Sequence, residues 1–296
     1  MVQGPRLTPE LLAYLEVAAI GAGIVLLADL ALLWVWVAGR IRGQSLLARR
    51  WSAAHVLVAF QAFLLLMLTL GFGILAVVML ALALPAGASG TRAEQQWTSA
   101  GIITALVVQN IAMAAVVLYT VLVLYDQRPA AVGLSLRNWA PKAALGLLAA
   151  AVVIPLNLAL ERLSILALQH AAFPRLVQRA YQEQFAQLLS MFRGPGGLAL
   201  EILLIGFIAP FGEELFFRGF AYRCFRARWG PVAGMLASAA FFAAIHLHPV
   251  GLLPILFVGC VLAYLYERTG TLVAPFALHA ANNMVAVLAA YFSHGR

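Results

Sequence analysis

The stretch Ala209-Pro210-Phe211-Gly212-Glu213-Glu214-Leu215-Phe216-Phe217-Arg218 puts two adjacent carboxylates and an arginine into a run otherwise apolar enough to span a membrane. An ionised side chain near a bilayer centre costs about 2.5–3.5 kcal/mol on insertion scales, so this grouping needs a reason. On a helix, Glu214 and Arg218 stand at i and i+4 with the acid N-terminal, the better order for pairing. Glu213 points about 100° away from Glu214 and cannot share that partner in the same way. The pattern predicts a neutralised, structural Glu214 and a Glu213 free for chemistry. Two later apolar stretches add polar groups: Phe242-Ala243-Ala244-Ile245-His246 and His279-Ala280-Ala281-Asn282-Asn283. A carboxylate, two imidazoles and an amide that converge can activate a water and stabilise an oxyanion. The plainer alternative is a packing network between helices.

The elements that must position these groups are membrane helices. The chain is 64% hydrophobic and 10% charged, far below the roughly 25% charged residues of a soluble domain. The expected fold is an all-α, polytopic membrane bundle. Eight apolar segments, 11–38, 56–82, 101–125, 142–160, 198–228, 231–247, 250–266 and 272–292, are each near the ~20 residues a bilayer needs. The net charge of +8 comes almost wholly from arginines in short loops. In such a protein that is a topology signal, not a nucleic-acid footprint. Arg40, Arg42, Arg49, Arg50, Arg128, Arg137, Lys142 and Arg268 put the 39–55, 126–141 and 267–271 loops in the cytoplasm, with both termini outside. Cys224 and Cys260 suggest neither a disulfide framework nor a cysteine-rich metal site. The first apolar stretch is too long for a signal-peptide core, and Ser293-His294-Gly295-Arg296 is no prenylation box. The Ala-, Leu- and Arg-rich, Lys-poor composition suggests a GC-rich bacterial genome, hence a bacterial inner membrane.

Within this frame, Pro210 is expected to free a backbone carbonyl and kink the helix beside Glu213. Glu213 lies 17 residues before Gly230 and His246 lies 16 after it, which sets both about 24–26 Å from that turn. His279 and Asn283 stand only about 12–18 Å into the last segment, so the depths agree if the 228–231 turn projects about 10 Å beyond its start. Residues 161–197 are expected as a hydrophilic connection holding an amphipathic linker helix, with Val177, Tyr181, Phe185, Leu188 and Phe192 on one face. Asp29 is expected to pair with another helix. Gln61, Gln109, Asn110 and Asn157 are expected as interhelical hydrogen-bonding groups. Gly87-Ala88-Ser89-Gly90 is a loop rather than a serine nucleophile motif, and His248, before Pro249, is interfacial.

The order Glu-Glu-x-x-x-Arg, Phe-x-x-x-His, His-x-x-x-Asn on successive apolar segments resembles the CPBP family of intramembrane proteases. That family includes the type II CAAX prenyl endopeptidases and bacteriocin-processing or immunity proteins. The resemblance covers roughly residues 130–296. It divides the chain into that domain and an N-terminal extension, 1–129, without an assigned role. It implies an intramembrane endopeptidase in which Glu213 is the general base and His246 helps hold the attacking water. His279 and Asn283 would donate to the oxyanion, while Glu214 and Arg218 fix the helix presenting Glu213. The implied partners are the lipid bilayer and a membrane-associated or lipidated protein or peptide. Glu213, His246 and His279 could also hold zinc, which favours three protein ligands and an open position in catalytic sites. The zincin His-Glu-x-x-His helix is missing, and the reading leans toward a metal-free glutamate mechanism. From other classes, a non-catalytic scaffold or immunity protein and a proton-coupled transporter stay open. The transporter is disfavoured by the lack of an internal repeat.

Overall fold

The structure, a computed structural model, describes residues 107–124, 126–170, 197–246 and 248–294, and these are helical with short connections and no strand. The expectations for 11–38, 56–82, Asp29, Gln61 and residues 87–90 lie outside the described residues, as does most of the 161–197 linker. Helix α1 spans 107–124 and leads through a tight turn at Pro129–Val132 to α2, Trp139–His170. Helix α3 spans 197–229 and α4 spans 231–245. Helices α5, Leu252–Thr269, and α6, Val273–His294, complete the bundle.

Three of these helices are long and apolar enough to cross a membrane: Trp139–Gln169, Leu252–Thr269 and Val273–Phe292. Helix α2 is the most lipid-like, with only 17% of its most apolar window buried and Leu147, Leu148, Val152 and Leu156 exposed. It also runs further than the apolar pattern indicates. The expected span stops at 160, but the helix continues through Glu161 and Arg162 to His170. Those two residues and the following Leu, Ala and Gln are good helix formers, and no Gly or Pro interrupts them.

Two apolar clusters hold the bundle. One gathers Ala112, Met113, Val117 and Val121 of α1 with Leu215, Phe216, Phe217, Phe220 and Tyr222 of α3 and Phe242 of α4. The other joins Ala150 and Val153 of α2 to Val258, Leu262 and Leu265 of α5 and Ala274 and Leu278 of α6. Where α4 crosses α5, a Cβ built on Gly259 would meet the Ala239 Cβ at 3.0 Å. Small residues at such a crossing let the backbones approach, the usual way helices pack in lipid. The turn between α3 and α4 rests on Gly230, whose φ of 82° and ψ of 174° break the helical run Arg223–Ile245. A side chain is strained at that φ, and Pro231 then restarts the helix.

Helix α3 changes register twice. An α-helical turn at Gly197–Glu201 passes into a π-helical stretch, Ile202–Ile208. The α-helix returns over Ala209–Glu214, and a second π-helical stretch covers Leu215–Tyr222. Pro210, where a kink is expected, stands just after the first of these π-helical stretches. In the wider register the N–H that proline lacks would have served the carbonyl five residues back, that of Ile205. That carbonyl instead accepts from Asn283 Nδ2 of α6 at 3.0 Å. In the second stretch the Phe217 carbonyl accepts from the Ser238 hydroxyl of α4 at 2.9 Å.

Candidate active site

The two glutamates occupy different environments. Glu214 is fully buried, and Arg218 donates to its Oε1 at 2.9 Å from Nη1, one helical turn away. Arg218 is buried as well. Its Nη2 donates to the Gly259 carbonyl at 3.3 Å, and its guanidinium lies 4.4 Å from the centre of the Phe242 ring. A buried charge needs this many partners because desolvation costs several kcal/mol per ion. The Glu213 side chain keeps 19% exposure. Behind it, α1 closes on the backbone: a Cβ on Gly212 would fall 2.7 Å from the Asn110 side-chain oxygen.

His279 joins both acids. Its Nδ1 lies 2.8 Å from Glu214 Oε1, the oxygen that also takes Arg218, and its Nε2 lies 3.6 Å from Glu213 Oε2. A carboxylate only accepts, so Nδ1 donates to Glu214. The imidazole is thereby oriented with Nε2 toward Glu213. This contact also resolves the depths: His279 stands early in α6 while Glu214 stands far from Gly230, so the α3–α4 turn does project beyond the start of α6.

His246 closes α4. Its Nδ1 lies 2.7 Å from the Phe242 carbonyl. The carbonyl must accept, so Nδ1 carries a proton and Nε2 is left for other work. The Phe242 ring meets both imidazoles edge to face, His246 at 4.6 Å and His279 at 5.8 Å between centroids. A cavity of about 270 Å³ opens beside them. His246, His279, Asn282 and Asn283 supply its polar wall together with Glu201 and Asn157, and Ile205, Ile255, Val258 and Val287 its apolar wall. His248 does not line it. Its Nδ1 accepts from the Gly251 N–H at 2.7 Å, within the turn before α5.

Of the residues singled out by sequence, the structure brings Glu213, Glu214, Arg218 and His279 into one layer. His246, His279 and Asn283 share the cavity. Among the described residues no three or more His, Cys, Asp and Glu side chains are gathered as a metal cage, the set Glu213, His246 and His279 included. Those donors do not fit zinc as they stand, and no step below passes through a metal. Sequence reading missed Glu201, which is 2% exposed and lines the cavity. The signal was present: an acid in an apolar run is a functional candidate by its cost alone.

The whole acid layer, His246, His279, Asn283 and Glu201 fall between residues 195 and 285. Residues 195–285 match the family model described as type II CAAX prenyl endopeptidase Rce1-like. The Rce1-like segment begins just before α3 and ends within α6, and it supports a CAAX-type protease. With the three long apolar helices it also supports an integral membrane protein. No curated protein and no solved structure matches the chain.

Proposed function

We propose that the protein is an intramembrane endopeptidase that hydrolyses a peptide bond of a membrane-associated or lipidated protein or peptide, with Glu213 as general base. The observation that carries this reading is the difference in surroundings between the acids: Glu214 is spent on Arg218 and His279, and Glu213 is left facing the second nitrogen of His279. In the proposed reaction a water sits between Glu213 and His246, donating to His246 Nε2. Glu213 takes a proton from that water as its oxygen bonds to the scissile carbonyl carbon. The oxyanion accepts from His279 Nε2–H and from the Asn283 N–H not used by Ile205. Protonated on both nitrogens, His279 gives the layer of Glu213, Glu214, Arg218 and His279 a formal charge of zero. Collapse of the tetrahedral adduct breaks the C–N bond, and Glu213 returns its proton to the leaving amine. The site lies in the bacterial inner membrane on this reading.

The test is turnover of membrane-inserted and prenylated peptides by the purified chain, with and without chelator. The expected result is cleavage that Glu213→Gln abolishes and chelator spares. Activity lost to chelator and restored by zinc would overturn the metal-free mechanism. No cleavage of any such peptide would favour a non-catalytic scaffold.

A further inference from the structure

Glu201 is a buried carboxyl with no salt-bridge partner among the described residues. It ends the α-helical segment Gly197–Glu201 that opens α3 and lines the cavity with His246 and Asn283. Its Oε1 is fully buried and accepts no hydrogen bond. Across the cavity, the Asn157 Oδ1 of α2 is also buried and also accepts none. Two buried acceptors on residues that line one space are costly unless something donates to them. No group of the polar wall donates to either acceptor: one Asn283 N–H goes to the Ile205 carbonyl, and His246 Nδ1 to that of Phe242. Among the described residues, the arginine nearest in the chain, Arg218, is locked against Glu214 and Gly259.

We propose that Glu201 and Asn157 form a specificity subsite for a cationic, hydrogen-bond-donating side chain, lysine or arginine, near the scissile bond of the substrate. An ammonium or guanidinium satisfies both acceptors at once and neutralises the carboxylate, and the stem of such a side chain lies along Ile205, Ile255 and Val258. An acidic group at the same place would meet a carboxylate and a carbonyl oxygen. Asn157 lies outside the Rce1-like match, so this subsite draws on α2 as well as the matched segment. The inference rests on the endopeptidase reading for the word substrate, and not for the binding itself.

The experiment measures binding and turnover separately. Fluorescent N-acylated peptide amides carry lysine, norleucine or glutamate walked through successive positions. Their binding is measured to the full chain carrying Glu213→Gln in detergent micelles, and their cleavage by the chain with Glu213 intact. At one position the lysine peptide should bind about tenfold or more tighter than its norleucine twin, the scale of a charged hydrogen bond. Adding Glu201→Gln should bring that ratio below about threefold, and Asn157→Leu should lower it in part. Glu267→Gln, at the far end of α5, should leave it alone. Equal affinities at every position, or a ratio unmoved by both Glu201→Gln and Asn157→Leu, would overturn the subsite. Absence of binding by any of the peptides would overturn it too. If Glu201→Gln does not fold, Asn157→Leu alone decides. A lysine preference in binding without cleavage would sink the endopeptidase reading and leave the subsite standing.

Discussion

The acid layer and the cavity next to it solve the same problem in opposite ways. Both hold carboxylates inside an apolar bundle. In the layer, Glu214 meets a guanidinium on its own helix and an imidazole from α6, and the apolar surround closes over all three. In the cavity, Glu201 meets space, and polar groups face it without closing on it. The first arrangement fixes a helix, because the buried carboxylate and guanidinium face each other, although Glu214 Oε2 and Arg218 Nε have no hydrogen-bond partner among the described residues. The second keeps a demand open that only something from outside can meet. Glu213 sits between these regimes, next to the closed layer in sequence and still reachable.

Breaking the layer should give the largest effect. Glu214→Gln leaves Arg218 as a buried charge without its carboxylate and His279 without its anchor. Loss of one partner of a buried pair costs about 3–5 kcal/mol, so melting temperature and yield in detergent should fall together with activity. Adding Arg218→Met should restore part of the melting temperature and no turnover. A stable Glu214→Gln protein would show that the layer is not what holds α3.

Glu213→Gln sharpens the contrast from the other side. It keeps the shape and removes the base, so turnover should drop by about 10² or more with melting temperature unchanged. An unstable Glu213→Gln beside a stable, inactive Glu214→Gln would reverse the two roles.

A smaller effect tests the seam between the regions. Asn283→Leu strands the Ile205 carbonyl left by Pro210, and an unmet buried acceptor costs about 1–3 kcal/mol. Its melting temperature should therefore fall, by less than that of Glu214→Gln. An unchanged value would mean that the carbonyl finds another donor.

The smallest effect is expected at the bundle end, where Arg226 Nε and Nη2 donate to Glu267 at 2.8–2.9 Å and the Tyr222 hydroxyl donates to the same carboxylate at 2.7 Å. Arg226 is exposed, and pairs of that kind contribute about 0–1 kcal/mol. Glu267→Gln should shift the melting temperature only slightly, and less so at high salt. A drop as large as that of Glu214→Gln would remove the distinction between closed and open pairs.

What could be read beforehand follows from the range of each interaction. The Glu214–Arg218 pair was legible because it lies within one turn, where helical spacing fixes the faces. The meeting of His279 with Glu214 was not, because 65 positions separate them and only packing decides which helix faces which. Pro210 announced a freed carbonyl, but not the π-helical register that moves it from Gly206 to Ile205. Glu201 has no charged residue at i±3 or i±4, so nothing in its spacing singled it out. Apolar length marked the three helices of the described residues that are long and apolar enough to cross a membrane, apart from the end of α2, where helix-forming polar residues prolong it beyond its apolar core.

The wall that α1 builds against α3 has a consequence for how small the protein can be made. Ala112, Met113, Val117 and Val121 fill the cluster around Phe216 and Phe220, and Asn110 touches the backbone at Gly212. A truncated chain begun at residue 130 would keep every reacting group and bare the back of the helix that carries Glu213. One begun at 195 would also lose α2, with Asn157 and with Ala150 and Val153 of the second cluster. The shortest fragment that retains this architecture starts no later than 107, well upstream of the stretch by which a family model recognises it.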